Sequence, residues 1–426
     1  MDNILPWSID TAAARLKTLQ TRLDQSSPEL QNVFTQTFFS TADTQITAAK
    51  LSLESPLRGA LVSVKDLFDV AGFVTKAGTR VMAQDDAALK DAGAIENLRE
   101  AGAIFVGHTN MTELAYSGLG LNPHYGTPDN ARVKGCIPGG SSAGGAISVA
   151  CDAVDIAIGT DTGGSLRIPA AFNGIVGFKP SQSVVSRKGC KPLSTSLDSV
   201  GPMAKNVATC HLAYRALAMG HDTEHRVVEP TFIIPNNYGM SDLEPAVQQA
   251  FEAAVGQLSA AGYRVQVMAV DALEGLKSLA VWQFSAVESR AEYEDLYQSQ
   301  RGQFDARVSS RMARADEVSA IAYCRTLRLR EQLITQYKAE MGDKILLMPT
   351  VPMLPPKLSV FNDDEVYTRI NLQVLRNPSI ANVMDGCSIS LPFSHGTDTI
   401  GVMLTATAYH DESLLELAQE CERLFE

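Results

Sequence analysis

The chain of 426 residues is 45% hydrophobic and 20% charged and carries a net charge of −12. That length allows one large domain or two to three average ones, with a core large enough to fold without disulfides or metal. Its basic clusters, SRKGCK and RTLRLR, are too short to line a phosphate-binding groove, which excludes nucleic acid as the expected partner and leaves the acidic surface to solubility.

At the N-terminus, MDNILPWSIDTAAARL has no basic start followed by an apolar core, which argues against a secretory signal, and residues 1–54 read as a helical lead-in. GALVSVKD reads as a buried strand ending at Lys65 and Asp66. DAALKDAGAIENLREAG reads as a helix closed by Gly102, and AIFVGHTN as the next strand. AISVACD looks helical and AVDIAIGT is a strand. Asp152 and Asp155 interrupt this apolar run, and no stretch reaches the ~18 apolar residues of a membrane span. Further on, TFIIP is a strand and SDLEPAVQQAFEAAVGQLSAAG a helix, with Ser241 and Glu244 as a capping box and Gly262 at the stop. Leu243, Val247, Phe251 or Ala250, Ala254 and Leu258 recur at helical spacing as its core stripe. YRVQVMAV follows as a strand, and residues 270–340 read as mostly helical and more polar. KILLMPTVPMLPP is a strand entering a proline-rich turn, SISLP and TIGVMLT are late strands, and DESLLELAQECERLF closes the chain as a helix. Alternation of strand and helix with no repeat or linker predicts one α/β domain, 1–426, with helices on both faces of its sheet. The cysteines at 136, 151, 190, 210, 324, 387 and 421 form no CxxC pair, so neither a zinc ribbon nor a redox motif is indicated. Reduced, buried thiols suit a cytoplasmic protein.

HExxH, the GxxxxGK[ST] phosphate loop and S-x-x-K are all missing from the sequence, and SGLGLNPHYG lacks GxGxxG spacing. Two glycine-serine segments remain. GSSAG at 140–144 fits G-x-S-x-G, with Ser142 as the serine of a nucleophile elbow. An elbow needs a strand running straight into it, together with a downstream acid and histidine. The approach ARVKGCIP contains Pro138 and little β pattern, and His211, His221, His225, His395 and His410 sit in no telling context. The second segment, GTDTGGS, follows a strand. Consecutive glycines let successive N–H groups point inward, which suits a developing oxyanion beside a nucleophilic Ser165; the same loop also reads as a plain turn or an anion-binding nest. A serine needs a base at neutral pH, and a lysine buried enough to lose its proton can serve. Lys65, at the end of an apolar strand, is either that base or a solvated strand end.

Together, GGSSAGG, GTDTGGSLRIPA and VSVKDLFDVAG resemble the signature segments of the amidase signature family. GHTNMTELAYSG, SLDSVGPMAKNV, LLMPTVPMLPP and GVMLTATAYHDESLLELAQ fall in the family's usual order, so the resemblance covers residues 55–425. It implies a central mixed sheet covered by helices on both faces, with a catalytic core over 55–205 and a substrate-shaping helical region over 270–340. It also implies a Ser–cis-Ser–Lys triad in which Ser165 is the nucleophile, Ser141 the bridging serine after a cis Gly140–Ser141 bond, and Lys65 the base. The N–H groups of Thr162, Gly163, Gly164 and Ser165 would form the oxyanion hole. Ser141 and Ser165 are 24 positions apart (165 minus 141), the family interval. Where the family has S-S-G-G-S, this chain has S-S-A-G-G, so Ala143 and Gly145 depart from the pattern and put loop detail, not the triad, in doubt.

Ser142 is expected to support its loop and Asp161 to anchor the next, while Arg167 orients backbone or a carboxylate near the nucleophile or reaches the substrate. Thr112, Tyr116, Tyr125 and Gly140 fall in segments that the family places near the pocket. Arg307 and Arg311, four apart in DARVSSR, share a helix face and either hold a substrate carboxylate or lie in solvent. The function implied is an amidohydrolase for a small linear amide or urea-like compound, working without cofactor or metal, off the membrane and as a homodimer. Two alternatives stand beside it: the A subunit of a tRNA-dependent amidotransferase, and a non-catalytic scaffold on the same fold. Chain length and the altered loop weigh against the first, and the intact triad against the second.

Overall fold

Among the described residues, eleven strands form one mixed sheet: β1 (Phe34–Thr37), β2 (Leu61–Lys65), β3 (Ile104–Thr109), β4 (Ile156–Asp161), β5 (Val176–Lys179), β6 (Ser199–Ala204), β7 (Thr231–Pro235), β8 (Arg264–Met268), β9 (Ile345–Pro349), β10 (Gly386–His395) and β11 (Asp398–Thr407). Their order across the sheet is β1-β3-β2-β4-β6-β5-β10-β11-β9-β7-β8. The computed structural model describes residues 7–51, 55–219 and 230–426.

Successive residues of a strand face opposite sides, and here they enter different cores. Leu61, Ile104, Val106 and Ala157 pack with the helices Ile9–Asp24, Ala42–Leu51 and Ala143–Ala150. Their neighbours Val62, Val64, Phe105, Ile156 and Ile158 pack with the helices Gly93–Glu100, Val207–Leu217, Pro245–Ala260 and Asp411–Phe425. Farther along, Ile233, Leu346, Met348 and Met403 meet Asp271–Leu276, Ala320–Met341 and Ser379–Val383. This is the two-faced α/β sheet expected from the alternation of elements.

Strand β2 runs parallel to both β3 and β4. Their carboxyl ends, Lys65, Thr109 and Asp161, therefore open on one edge of the sheet, where α/β folds place their ligands.

Three local expectations need correction. The helix predicted over 86–102 begins only at Gly93. Ahead of it, Ala88 N donates to Phe73 O at 2.9 Å and Gly72 N to Ala88 O at 2.8 Å, so pairing with a distant loop overrides local propensity. The capping box at Ser241 and Glu244 does not form: Asp242 is left-handed (φ 59°), and the helix starts at Pro245 with Glu244 at the cap position. Glu244 instead accepts Leu354 N at 2.9 Å, and Leu243 falls outside the buried stripe, which Val247, Ala250, Phe251, Ala254 and Leu258 do form. The helical lead-in contains β1, which joins the sheet beside β3. Its strand pattern, FTQT, is too short and polar to stand out.

Candidate active site

Lys65 is the last residue of β2 and is fully buried. Its Nζ lies 2.7 Å from Ser141 Oγ and 2.9 Å from Thr160 Oγ1. Burial lowers its pKa to about 7, against the weaker upward pull of Cys190, Asp198 and Asp161. A large share of Lys65 side chains is therefore neutral near pH 7, and the solvated strand end is excluded.

Ser141 stands in the loop that feeds the helix Ala143–Ala150, and the Gly140–Ser141 peptide bond is cis. Two backbone bonds tie this loop to residues 112–118: Gly140 N donates to Gly118 O at 2.8 Å, and Thr112 N to Ser141 O at 3.1 Å. The approach is so close that a Cβ on Gly140 would stand 2.5 Å from Gly120 N. Gly140 is thus a contact glycine of the loop.

Ser165 follows β4 and is 2% exposed. Its carbonyl accepts Ser142 N at 3.3 Å, which holds the two serine loops together. Asp161 organises the turn between β4 and Ser165: Oδ1 accepts Gly164 N at 2.7 Å and Oδ2 accepts Leu166 N at 3.2 Å. Arg167 closes on the same carboxylate with Nε at 3.0 Å and Nη2 at 2.9 Å, and Asn382 Nδ2 adds a bond at 3.0 Å. Burial alone would raise the Asp161 pKa, but Arg167, Lys179 and Asn382 more than offset it and bring it down to about 2.

This arrangement corrects two expectations. Arg167 has no exposed surface, and its remaining nitrogen contacts go to Asn382, Ser388 and Met403, so it does not reach a substrate. The N–H of Gly164 is taken by Asp161 and is not an open oxyanion donor. The N–H groups of Thr162, Gly163 and Ser165 make no hydrogen bond among the described residues. Gly164 is required on other grounds: its φ is 128°, and a Cβ there would lie 2.6 Å from Pro378 Cβ.

The elbow reading of Ser142 fails on geometry. No strand enters 137–142, and the Ser142 hydroxyl is buried 3.4 Å from Thr160 O. His211 is hydrogen-bonded to Glu412 at 2.6 Å, His410 to Thr407, and His395 is exposed at a strand end; His221 and His225 lie outside the described residues.

The other expected pocket residues divide. Thr112 is buried with its hydroxyl unpartnered among the described residues. The Tyr116 hydroxyl bonds Ser285 O at 2.8 Å and Ser289 Oγ at 2.6 Å, linking the site to the helix Trp282–Gln300, and burial pushes its pKa up. Tyr125 donates to Thr79 O at 3.1 Å. Arg311 donates to the Tyr116 carbonyl, while Arg307 pairs with Asp364 at 2.7 Å and stacks on Tyr367. The Arg307 charge is thus met by an exposed carboxylate, whereas Arg311 is spent on backbone.

Sequence reasoning missed Thr160 and Asp198. Both stand inside quoted segments, but the place of Thr160 beside Lys65 follows from the β2–β4 register, in which Val64 pairs with Ile158, and that of Asp198 from the β4–β6 register, in which Asp161 pairs with Ser199. Among the described residues no group of His, Cys, Asp or Glu is placed to hold a metal ion, and no helix is long and apolar enough to cross a membrane.

The amidase family profile matches residues 14–415. The chain belongs to the amidase family. It is 32% identical to the 2-amino-5-chloromuconic acid deaminase of Comamonas testosteroni, over 87% of this chain and 82% of that one. It is 29% identical to the A subunit of the glutamyl-tRNA(Gln) amidotransferase of Streptococcus pneumoniae (strain 70585), over 88% and 85%. A solved structure of an amidase superimposes with a TM-score of 0.86 at 27% identity, covering 98% of each chain. Membership makes this an amide-cleaving enzyme, and Lys65 and Ser141 lie in buried contact at the carboxyl edge of its sheet.

Proposed function

We propose that this amidase-family enzyme hydrolyses the C–N bond of a small linear amide or urea-like compound through an acyl-Ser165 intermediate. The reading is carried by one observation: a fully buried lysine with a pKa near 7, 2.7 Å from the hydroxyl of Ser141.

Ser165 Oγ attacks the carbonyl carbon while its proton passes to Ser141 Oγ and the Ser141 proton passes to neutral Lys65 Nζ. The carbonyl oxygen becomes an oxyanion facing the N–H groups of Thr162, Gly163 and Ser165, donors that need no reorganisation as charge develops. Lys65 then returns its proton through Ser141 to the leaving nitrogen, the C–N bond breaks, and ammonia or an amine departs. Water attacks the acyl ester with the same relay accepting its proton, which frees Ser165 and the acid. The bridging serine does the work that histidine does in other serine hydrolases. Thr112, with its unpartnered hydroxyl, is the favoured polar contact for substrate.

The test is ammonia release by the purified protein over simple amides, dicarboxylic monoamides, urea derivatives and glutamine, with Ser165→Ala as control. Release that survives Ser165→Ala overturns the assignment. The similarity to the A subunit of an amidotransferase favours one second reading, in which glutamine is the amide and partner proteins are needed. Glutamine turnover appearing only when such partners are added would establish it. A homodimer in the cytoplasm is the assembly that goes with the first reading, and light scattering measures its mass.

A further inference from the structure

Beyond the triad, a second buried carboxylate stands at the same sheet edge. Asp198 precedes β6, which pairs antiparallel with β4 so that Asp161 faces Ser199; Asp198 therefore stands opposite Thr162, at the mouth of the nucleophile loop. Its Oδ1 accepts the Thr162 hydroxyl at 2.5 Å, and its Oδ2 accepts Leu193 N at 2.9 Å and Ser194 N at 3.1 Å. Thr160, which accepts Lys65 Nζ, and Thr162, which donates to Asp198, are two positions apart on one strand and its extension, a separation of about 7 Å.

The charges around Lys65 can be counted. Asp161 is neutralised by the Arg167 fork. The Cys190 thiol is pushed well above its ordinary value by burial and is neutral. Lys179 is buried, and its Nζ is held by the carbonyls of Pro180 and Gly386. Tyr293, which also faces Asp198, donates its hydroxyl to Pro192 O at 2.7 Å. Asp198 itself has no salt-bridge partner among the described residues, and Arg187 acts on it only at longer range. Burial raises its pKa to about 6, so above that pH it is a buried anion without a cation of its own.

We infer that Asp198 is a positioning residue for the amide hydrolysis: it fixes Thr162, whose N–H faces the oxyanion, and supplies the countercharge for Lys65 when the relay makes it an ammonium. This rests on the Ser165–Ser141–Lys65 reading above. Neutral Lys65 has little use for the carboxylate, whereas the ammonium formed during acylation sits buried with Asp198 as its uncompensated neighbour. The interaction strengthens towards the transition state, which is the condition for acceleration. The same carboxylate links the site to the helical region, because Glu288 of the helix Trp282–Gln300 holds the 194–196 segment through Ser194 Oγ at 2.5 Å and Ser196 N at 3.0 Å.

The experiment is the pH dependence of Ser165 labelling by a fluorophosphonate probe, in the full-length wild type, Asp198→Asn and Thr162→Val. The wild type should show an acid limb near pH 7, where Lys65 gains its proton. Asp198→Asn removes the countercharge, so the limb should move down by roughly half a unit to one unit while the plateau rate falls about tenfold. Thr162→Val keeps the carboxylate and loses the tether, so the plateau falls and the limb stays. An Asp198→Asn limb that does not move, in a protein with a wild-type thermal midpoint, overturns the countercharge role. If Asp198→Asn does not fold, Thr162→Val decides the positioning role: a wild-type plateau overturns it, and a lowered plateau with an unmoved limb supports it. Failure of wild-type Ser165 to be labelled at all would sink the triad assignment instead, so the two failures are distinct.

Discussion

Lys65 Nζ and Ser141 Oγ stand 2.7 Å apart, both without solvent exposure, one at the end of β2 and the other in the loop before the helix Ala143–Ala150. In the proposed relay the two residues work as a unit. Lys65→Ala and Ser141→Ala should each lower kcat by about 10²–10⁴-fold, the usual span for losing a proton-transfer group. The double variant should be little worse than either single one, because removing one member of a shared relay already disables the other. Multiplicative losses in kcat would show that the two residues act independently.

Burial of Lys65 also has a stability signature. Its pKa is lowered from 10.5 unfolded to about 7 folded, so between these values the unfolded chain binds the extra proton and the folded chain does not. Stability therefore rises with pH through that window, by up to ~1.4 kcal/mol per pH unit from this group, and the contribution is flat below about 7. Lys65→Met should abolish that rise and make the variant more stable than wild type at neutral pH. Urea unfolding at pH 7 and pH 9 measures both; equal pH slopes in the two proteins would mean that Lys65 is protonated in the fold.

The Asp161–Arg167 pair makes the opposite statement. The Asp161 pKa of about 2 lies below its ordinary 3.8, so its stabilising contribution is complete above pH 4 and disappears as pH falls towards 2. Arg167→Met leaves a buried carboxylate without its cation and should cost about 3–5 kcal/mol. Asp161→Asn in the same background should recover part of that loss. Chemical denaturation of the single and double variants checks this, and a stable Arg167→Met protein with only a raised KM would restore a substrate role to the arginine.

Legibility follows chemistry more than geometry. Strands β2, β3, β4, β9 and β11 are readable because their apolar runs are bounded by charges, glycine or proline. In contrast, β5 and β6 (VGFK and SVGPMA) are short, glycine-bearing segments whose strand character comes from neighbours in the sheet. The serines and the lysine are visible as glycine-serine loops and a strand-end lysine, and their grouping comes from likeness to a family. What cannot be read is which donors are already occupied. Gly164 and Arg167 belong to a local motif that turns on one buried carboxylate, and only the fold shows Asp161 drawing both inward. Likewise, Asp198 becomes meaningful only once β6 is registered against β4.

Ser142 and Ser165 separate the two nucleophile assignments directly. Ser142→Ala removes a hydroxyl 3.4 Å from Thr160 O and should cost about 0.5–1.5 kcal/mol of stability while leaving most of the turnover. Ser165→Ala should leave a folded protein that neither releases ammonia nor takes up a fluorophosphonate. Mass spectrometry of the labelled peptide locates the adduct, and an adduct on Ser142 would reverse the assignment.

Arg307 and Arg311 share a helix face and a stacking partner, Tyr367, yet their surroundings differ. Arg307 pairs with Asp364, whose side chain is largely exposed, and surface pairs of this sort contribute about 0–1 kcal/mol. Arg307→Ala should therefore leave kcat and KM near wild type. Arg311 donates to the carbonyl of Tyr116, and two residues on, the Gly118 carbonyl receives Gly140 N beside Ser141. Loss of Arg311 should loosen the segment that holds Ser141. Arg311→Ala should accordingly lower kcat for charged and neutral amides alike. The discriminating measurement is a set of paired kinetics on amides with and without a carboxylate. A rise in KM confined to the carboxylate-bearing member would assign the guanidinium to the substrate, whereas a uniform fall in kcat places its action on the Tyr116–Gly118 backbone.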